Sequence, residues 1–186
     1  MTFGTHTALK EAIDKFGYGN RLKLIGVDAL VNVMRATKYE DEMRLLERAI
    51  EITDQTIDEI VPTIRVGMSE RTIAWELEKA MRERGAEGMA FDIIVAAGPN
   101  GALPHHRAGD NAIGYGEPVV IDMGAKYEGY CADLTRTVIV GEPDEKFLRV
   151  YGAVLRAQLA AEESARSGMT GGEVDAISRD IIIEAG

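Results

Sequence analysis

A chain of 186 residues with ordinary apolar content can bury one substantial core, so one domain with a small appendage is expected. Its 31 acidic against 21 basic side chains, a formal net charge of −10, exclude the dense basic stripe of a nucleic-acid binder. The single cysteine, Cys131, excludes an intrachain disulfide framework or a Cys/His zinc knuckle, and no apolar run approaches the roughly 18 residues of a membrane span. The opening MTFGTHTALK lacks a basic segment followed by an apolar one, so no export signal is expected and the cytoplasm is the expected compartment.

In chain order, residues 7–16 and 22–33 read as locally ordered pieces separated by the turn cluster Gly17 to Asn20, and residues 1–38 as an N-terminal appendage. Over residues 39–60, Met43, Leu46, Ile50, Ile57 and Ile60 recur at helical spacing and are expected on one inward face, with Pro62 ending the helix. Ser69 supplies the next N-cap and Glu70 a first-turn acid; Ile73, Leu77, Ala80 and Met81 form an inward stripe up to the stop at Gly85. Trp75, in the same helix, is expected in the core. Residues 91–97 read as a strand running into Gly98-Pro99-Asn100-Gly101, a strong turn. Two β-rich runs, 119–127 and 130–140, flank Glu128-Gly129 and predict a hairpin. Helices return over 147–165 and 174–184, giving a mixed α+β fold.

A repeat of period 101 aligns Arg65-Val66-Gly67-Met68-Ser69 with Arg166-Ser167-Gly168-Met169-Thr170, and both following helices end in glycine, at Gly85 and Gly186. Five of 21 aligned positions are identical, too few to separate a duplication from shared helix-turn-helix punctuation. If it is a duplication, the second copy is expected to continue into strands beyond Gly186, as the first does beyond Gly85.

The chemistry gathers on the hairpin. A two-residue turn pairs Tyr127 with Tyr130, which places Asp122 opposite Thr135 and Asp133 opposite Gly124. Both aspartates then share a face, diagonally, with Cβ atoms about 7–8 Å apart, so their carboxylates can converge on ions about 3.5–4 Å from each other. Gly124 is expected to leave room for those ions, and Thr135 and Thr137 to orient the carboxylates or a water. The other face carries Ile121, Met123, Ala125, Leu134, Val138 and Val140, with Arg136 the exception. Alternatively, the two aspartates are exposed strand acids balanced by Lys126, Arg136 or Lys146. Strand interiors disfavour Asp, and two like charges on one face are costly unless a cation intervenes, which tips the reading toward metal.

His105 and His106 follow the Gly-rich turn. An imidazole near a metal site can hold a substrate carbonyl or share a proton at neutral pH; a plain surface pair is the alternative. Gly114-Tyr115-Gly116 lacks the third glycine and preceding strand of a dinucleotide motif.

The segments Ile121 to Ala125, Gly129 to Thr137 and Gly141-Glu142-Pro143, preceded by Phe91 to Val95, Gly98-Pro99-Asn100 and Leu103-Pro104-His105, together resemble the metal-binding hairpin and histidine loop of the pita-bread metallopeptidases, in their Xaa-Pro aminopeptidase and prolidase branch. The resemblance runs from about Tyr39 to Gly186. It implies a pita-bread catalytic domain, present as its first half plus the helices opening the second, and hydrolysis of the peptide bond before proline by a metal-bridging hydroxide. It implies Asp122 as ligand to one metal, Asp133 as a bridge between two, and His105 as the substrate-binding, proton-sharing histidine. The metals implied are two divalent ions, manganese, cobalt, zinc or iron, and the partner a proline-containing peptide. The family completes its site with a further histidine and two glutamates downstream of Gly186, so this chain is expected to hold metal weakly, to have little activity alone, and to form homo-oligomers or pair with another chain. The readings left open are a non-catalytic pita-bread module that binds a peptide or partner, and a creatinase-like amidinohydrolase.

Overall fold

The computed structural model describes residues 2–19, 21–27 and 29–186, in two compact units, Met1–Glu40 and Asp41–Gly186. In the first unit, helix α1 (Phe3–Lys15) is capped by Thr2, whose hydroxyl accepts from the Thr5 N–H at 3.2 Å. A second helix, α2 (Leu30–Ala36), follows, and neither buries a side chain. The order expected over 22–33 differs: residues 21–27 form no regular element, and Leu22, Leu24, Ile25 and Val27 are exposed. Asn20, the end of the expected turn cluster, lies outside the described residues, as does Asp28.

The second unit is built on α3 (Glu40–Ile60), α4 (Glu70–Glu83), three antiparallel chain segments, then α5 (Glu145–Ser164) and α6 (Gly171–Ala185). The core faces of α3 and α4 close over the sheet. Ile52, Ile57 and Ile60 of α3, Ile73, Leu77 and Met81 of α4, and Val95, Val119, Ile121 and Met123 of the sheet form one buried cluster, each large side chain contributing about 1.5–3 kcal/mol of transfer free energy. The α4 stripe is the expected one. The α3 face is the expected one only at Ile57 and Ile60: Met43 and Ile50 are exposed, and the buried face continues instead through Ala49, Ile52, Thr53 and Thr56. Two threonines can sit inward because each satisfies its own hydroxyl, Thr53 donating to the Ala49 carbonyl and Thr56 to that of Ile52, both at 2.8 Å. Trp75 is 59% exposed rather than core, since the inward stripe of α4 passes on the other side of the helix.

The sheet has its long middle segment in two pieces, β3 (Pro118–Met123) and β4 (Ala125–Tyr127), separated by Gly124. On one side lie β1 (Gly88–Met89) against β4 and β2 (Ile94–Ala97) against β3; on the other, β5 (Tyr130–Cys131) against β4 and β6 (Leu134–Ile139) against β3. The hairpin turn has positive φ at both central residues, Glu128 at 45° and Gly129 at 84°, the mirror-image turn that suits the right-handed twist of the flanking strands.

Helices α5 and α6 pack on each other: Ala153 and Ala157 are buried between them, and the Ser178 hydroxyl donates to the Ala157 carbonyl at 3.3 Å. Apolar side chains of both helices remain open, Leu148, Val150, Val154 and Ile182 along a groove of about 570 Å³ and Ile183 outside it. No helix among the described residues is long and apolar enough to cross a membrane.

Candidate functional site

The register counted from the turn holds across the whole hairpin: Tyr127 faces Tyr130, Met123 faces Leu134, and Asp122 faces Thr135. Alternation along β3 buries Val119, Ile121 and Met123 and turns Val120 and Asp122 to the other face. Between the two halves the register continues but the ladder is broken. Ala132 N–H donates to the Ala125 carbonyl at 2.9 Å, but the reciprocal Ala125 N–H donates instead to the Thr53 hydroxyl of α3 at 3.0 Å. The freed Ala132 carbonyl lies against Gly124, where a Cβ would come within 1.9 Å of its oxygen. Gly124 therefore does not leave a gap for ions. It permits a backbone approach, which breaks the strand just where Asp133 leaves it.

A second irregularity faces this break. Met89 pairs with Ala125 and Ile94 with Asp122, so Ala90, Phe91, Asp92 and Ile93 span where the facing strand has only Met123 and Gly124. Phe91 and Asp92 reach the wall of a groove of about 410 Å³ that is also lined by Pro104, His105, His106, Arg107, Asp122 and Asp133. The two aspartates and His105 thus line one cavity. The Thr135 hydroxyl donates to Asp122 Oδ1 at 2.8 Å. At the mouth, Arg107 Nη2 stands 3.7 Å from Asp92 Oδ2, with both side chains almost fully exposed, so this pair contributes little.

The histidine loop rests on an acid whose part was not foreseen. Glu70, expected only as a first-turn charge, is fully buried, and its carboxylate accepts five hydrogen bonds. Oε1 receives the Ala97 N–H at 2.9 Å and the amides of Asn100 at 2.8 Å and Asn111 at 3.3 Å. Oε2 receives His106 Nε2 at 2.8 Å and the Gly109 N–H at 3.1 Å. Burial raises its pKa, but the bonds from Ala97, Asn100, His106 and Gly109 outweigh that and hold it down at about 2. Facing a carboxylate, His106 Nε2 carries the proton. The neighbouring histidines therefore differ: both reach the groove wall, but His105 is exposed there while His106 is half-buried and held by Glu70. Sequence held one signal for this, since Glu70 falls on the same inward stripe as Ile73, Leu77 and Met81, where an acid has to be satisfied by partners.

As a donor set for metal, Asp122 and Asp133 offer carboxylate oxygens on one groove wall. Among the described residues no group of three or more His, Cys, Asp and Glu side chains is placed to hold an ion, so the two carboxylates fit part of a metal shell.

The broken hairpin, closed over by two amphipathic helices, brings both aspartates to the wall of one groove; residues 44–186 match the model of metallopeptidase family M24, and the chain belongs to that family. It is 45% identical over 160 residues to the Xaa-Pro dipeptidase of Pyrococcus horikoshii, an alignment covering 86% of this chain and 46% of the relative. Among solved structures, the Xaa-Pro dipeptidase from Bacillus anthracis superposes with a TM-score of 0.92 at 42% identity, covering 100% of this chain and 50% of that one. The X-Pro aminopeptidase from Thermotoga maritima gives 0.91 at 42% identity, covering 99% and 50%. The fold is that of the pita-bread peptidases, and the chain spans about half the length of the relatives it matches.

Proposed function

We propose that this chain carries half of the catalytic centre of a metal-dependent peptidase acting on the bond before proline. The observation that supports it most is the convergence of Asp122, Asp133 and His105 on one groove in an M24 chain. Asp122 and Asp133 would hold two divalent metals, with Thr135 orienting Asp122. Manganese is the first metal to test because carboxylates are hard oxygen donors, with cobalt and zinc as competitors. The bound pair would supply Lewis acidity, polarising the scissile carbonyl and activating water. His105, exposed on the groove wall, would hold the substrate carbonyl oxygen and share a proton with the departing amine. Phe91 and Pro104 offer apolar surface for the proline ring.

The appendage, residues 1–38, we read as a linker or the tail of a preceding domain, because neither of its helices buries a side chain. The open apolar faces of α5 and α6 support association with further polypeptide. The lone cysteine suits a reducing, cytoplasmic setting.

Calorimetric titration with manganese tests the centre. Asp133→Ala is expected to weaken metal binding more than Asp122→Ala, because a bridging ligand serves both ions; equal losses would remove the bridge. Failure of the protein that carries this chain to hydrolyse Xaa-Pro dipeptides when fully metal-loaded would overturn the reaction itself.

A further inference from the structure

We infer that Glu70 is a positioning residue for His105: its buried carboxylate closes the loop 97–111 from both ends and so presents the imidazole to the groove that holds Asp122 and Asp133. The inference rests on the function proposed above for His105.

The loop leaves β2 at Ala97 and returns past α4 at Asn111. Glu70 grips both limbs. Ala97 and Asn100 precede His105 in the chain, while His106, Gly109 and Asn111 follow it, and all five donate to the one carboxylate. The backbone repeats the closure: Glu70 N–H donates to the Asn111 carbonyl at 3.0 Å and Arg71 N–H to that of Gly109 at 2.9 Å. These are first-turn helix donors with no partner inside α4, so the returning loop satisfies the helix end and the helix end holds the loop. His106 is adjacent to His105 and pinned at Nε2, which fixes the chain direction at the point where the His105 side chain departs. Strand β2, the start of the loop, also pairs Ile94 with Asp122, so the same segment that carries the histidine is hydrogen-bonded beside the aspartate.

A carboxylate suits this task better than any neutral side chain of its size. Its two oxygens provide about four acceptor sites and no donor, whereas Gln would turn an NH₂ group toward N–H groups that themselves require acceptors. The loop's shape is therefore tied to the acid, with the bulk of the side chain secondary.

The test is a double-mutant cycle in the metal-loaded protein that carries this chain, at a temperature where every variant is folded by circular dichroism. Glu70→Gln is expected to lower kcat/KM for an Xaa-Pro dipeptide at least tenfold, and His105→Ala to lower it as much or more. In the His105→Ala background the Glu70→Gln change is then expected to cost less than twofold, because the group it positions is gone. Independent, multiplying losses would overturn the inference and leave Glu70 as a packing residue. Hydrogen exchange supplies a readout free of catalysis: Glu70→Gln is expected to speed exchange at Ala97 and Gly109 at least tenfold while Ile52 and Ile57 of α3 keep theirs, and unchanged loop protection would equally overturn it. Should Glu70→Gln not fold, Asn100→Ala removes one of the five donors and must show the same selective loss of loop protection, and unchanged protection in that variant would overturn the inference. If His105→Ala has no effect on hydrolysis while the loop still loosens in Glu70→Gln, the role proposed for His105 fails and the grip of Glu70 on the loop stands.

Discussion

The turns that open α4 and α6 are locally the same object in different surroundings. Met68 N–H donates to the Arg65 carbonyl and Met169 N–H to that of Arg166, both at 3.2 Å; Gly67 and Gly168 have φ of 89° and 95°; Ser69 and Thr170 cap the helices that follow. The first turn is then covered. Gly67 N–H donates to the Ile113 carbonyl, Ile113 N–H to that of Met68, and Glu70 holds the histidine loop. Among the described residues no strand pairs with the second turn in this way, and its helices leave Val154, Ile182 and Ile183 in the open. Local sequence thus specifies the turn, and long-range partners decide whether it supports a site.

The largest effect that would sharpen this contrast lies at Glu70 and its counterpart across the repeat period, Gly171. Glu70→Ala leaves five donors facing a void and is expected to lower stability by about 3–5 kcal/mol, read as the shift in urea midpoint. Gly171→Ala, at the first position of an exposed helix, is expected to be neutral or slightly stabilising. The acid limb carries a second signature. The folded pKa of Glu70, about 2, lies below its ordinary value of 4.5, so at intermediate pH the unfolded chain binds more protons than the folded one. Its contribution, about 3 kcal/mol, is complete above pH 4.5 and is lost as pH falls toward 2. Glu70→Gln is expected to flatten that part of the stability profile; an unchanged acid limb would show that the buried acid is not what distinguishes the covered turn.

Legibility follows the same division. The hairpin register was readable because a side-chain period of two and a two-residue turn leave no freedom: Asp122 opposite Thr135 follows from counting. The α4 stripe, its Ser69 cap and its Gly85 stop were readable for similar local reasons. Gly124 was misread because a glycine can mean open space or close contact, and only the position of the Ala132 carbonyl decides between them. The buried face of α3 was readable at Ile57 and Ile60 but not at Thr53 and Thr56, which are counted as polar, yet a threonine that returns its hydroxyl to the preceding turn packs like a valine. Trp75 was misplaced because membership of the helix does not set its phase, which lies opposite the inward stripe. Glu70 was visible as a residue and invisible as a hub, since its donors come from as far along the chain as Asn111.

Thr53 on α3 and Val154 on α5, the helices that precede the two turns, give the intermediate test. The Thr53 hydroxyl is buried and accepts the Ala125 N–H where the hairpin ladder fails, whereas Val154 is exposed on α5. Thr53→Val keeps the shape and strands a buried amide, so a loss of about 1–3 kcal/mol is expected, with faster exchange at Ala125. Val154→Thr is expected to stay within about 0.5 kcal/mol. If the two changes cost the same, the strand break does not depend on α3.

The smallest effect is the one that should be equal on both sides. Ser69 Oγ accepts the Thr72 N–H at 3.2 Å and Thr170 Oγ1 that of Glu173 at 3.3 Å, each serving one otherwise unpaired donor at the helix start. Ser69→Ala and Thr170→Ala are each expected to cost about 1 kcal/mol, the first in global urea unfolding and the second in the exchange of α6 amides. Thr170 also belongs to a capping box, in which Glu173 Oε2 accepts from the Thr170 backbone N–H at 2.7 Å, so the helix retains one reciprocal bond when the hydroxyl is removed. Ser69 has no such reserve, but its backbone is held by the bridge to Ala112. Matching losses would show that a cap is a property of the turn alone. A loss at Ser69 larger by more than about 1 kcal/mol would mean that its hydroxyl also holds Glu70 in register with the histidine loop, and the covered turn would then differ from the open one at its very first residue.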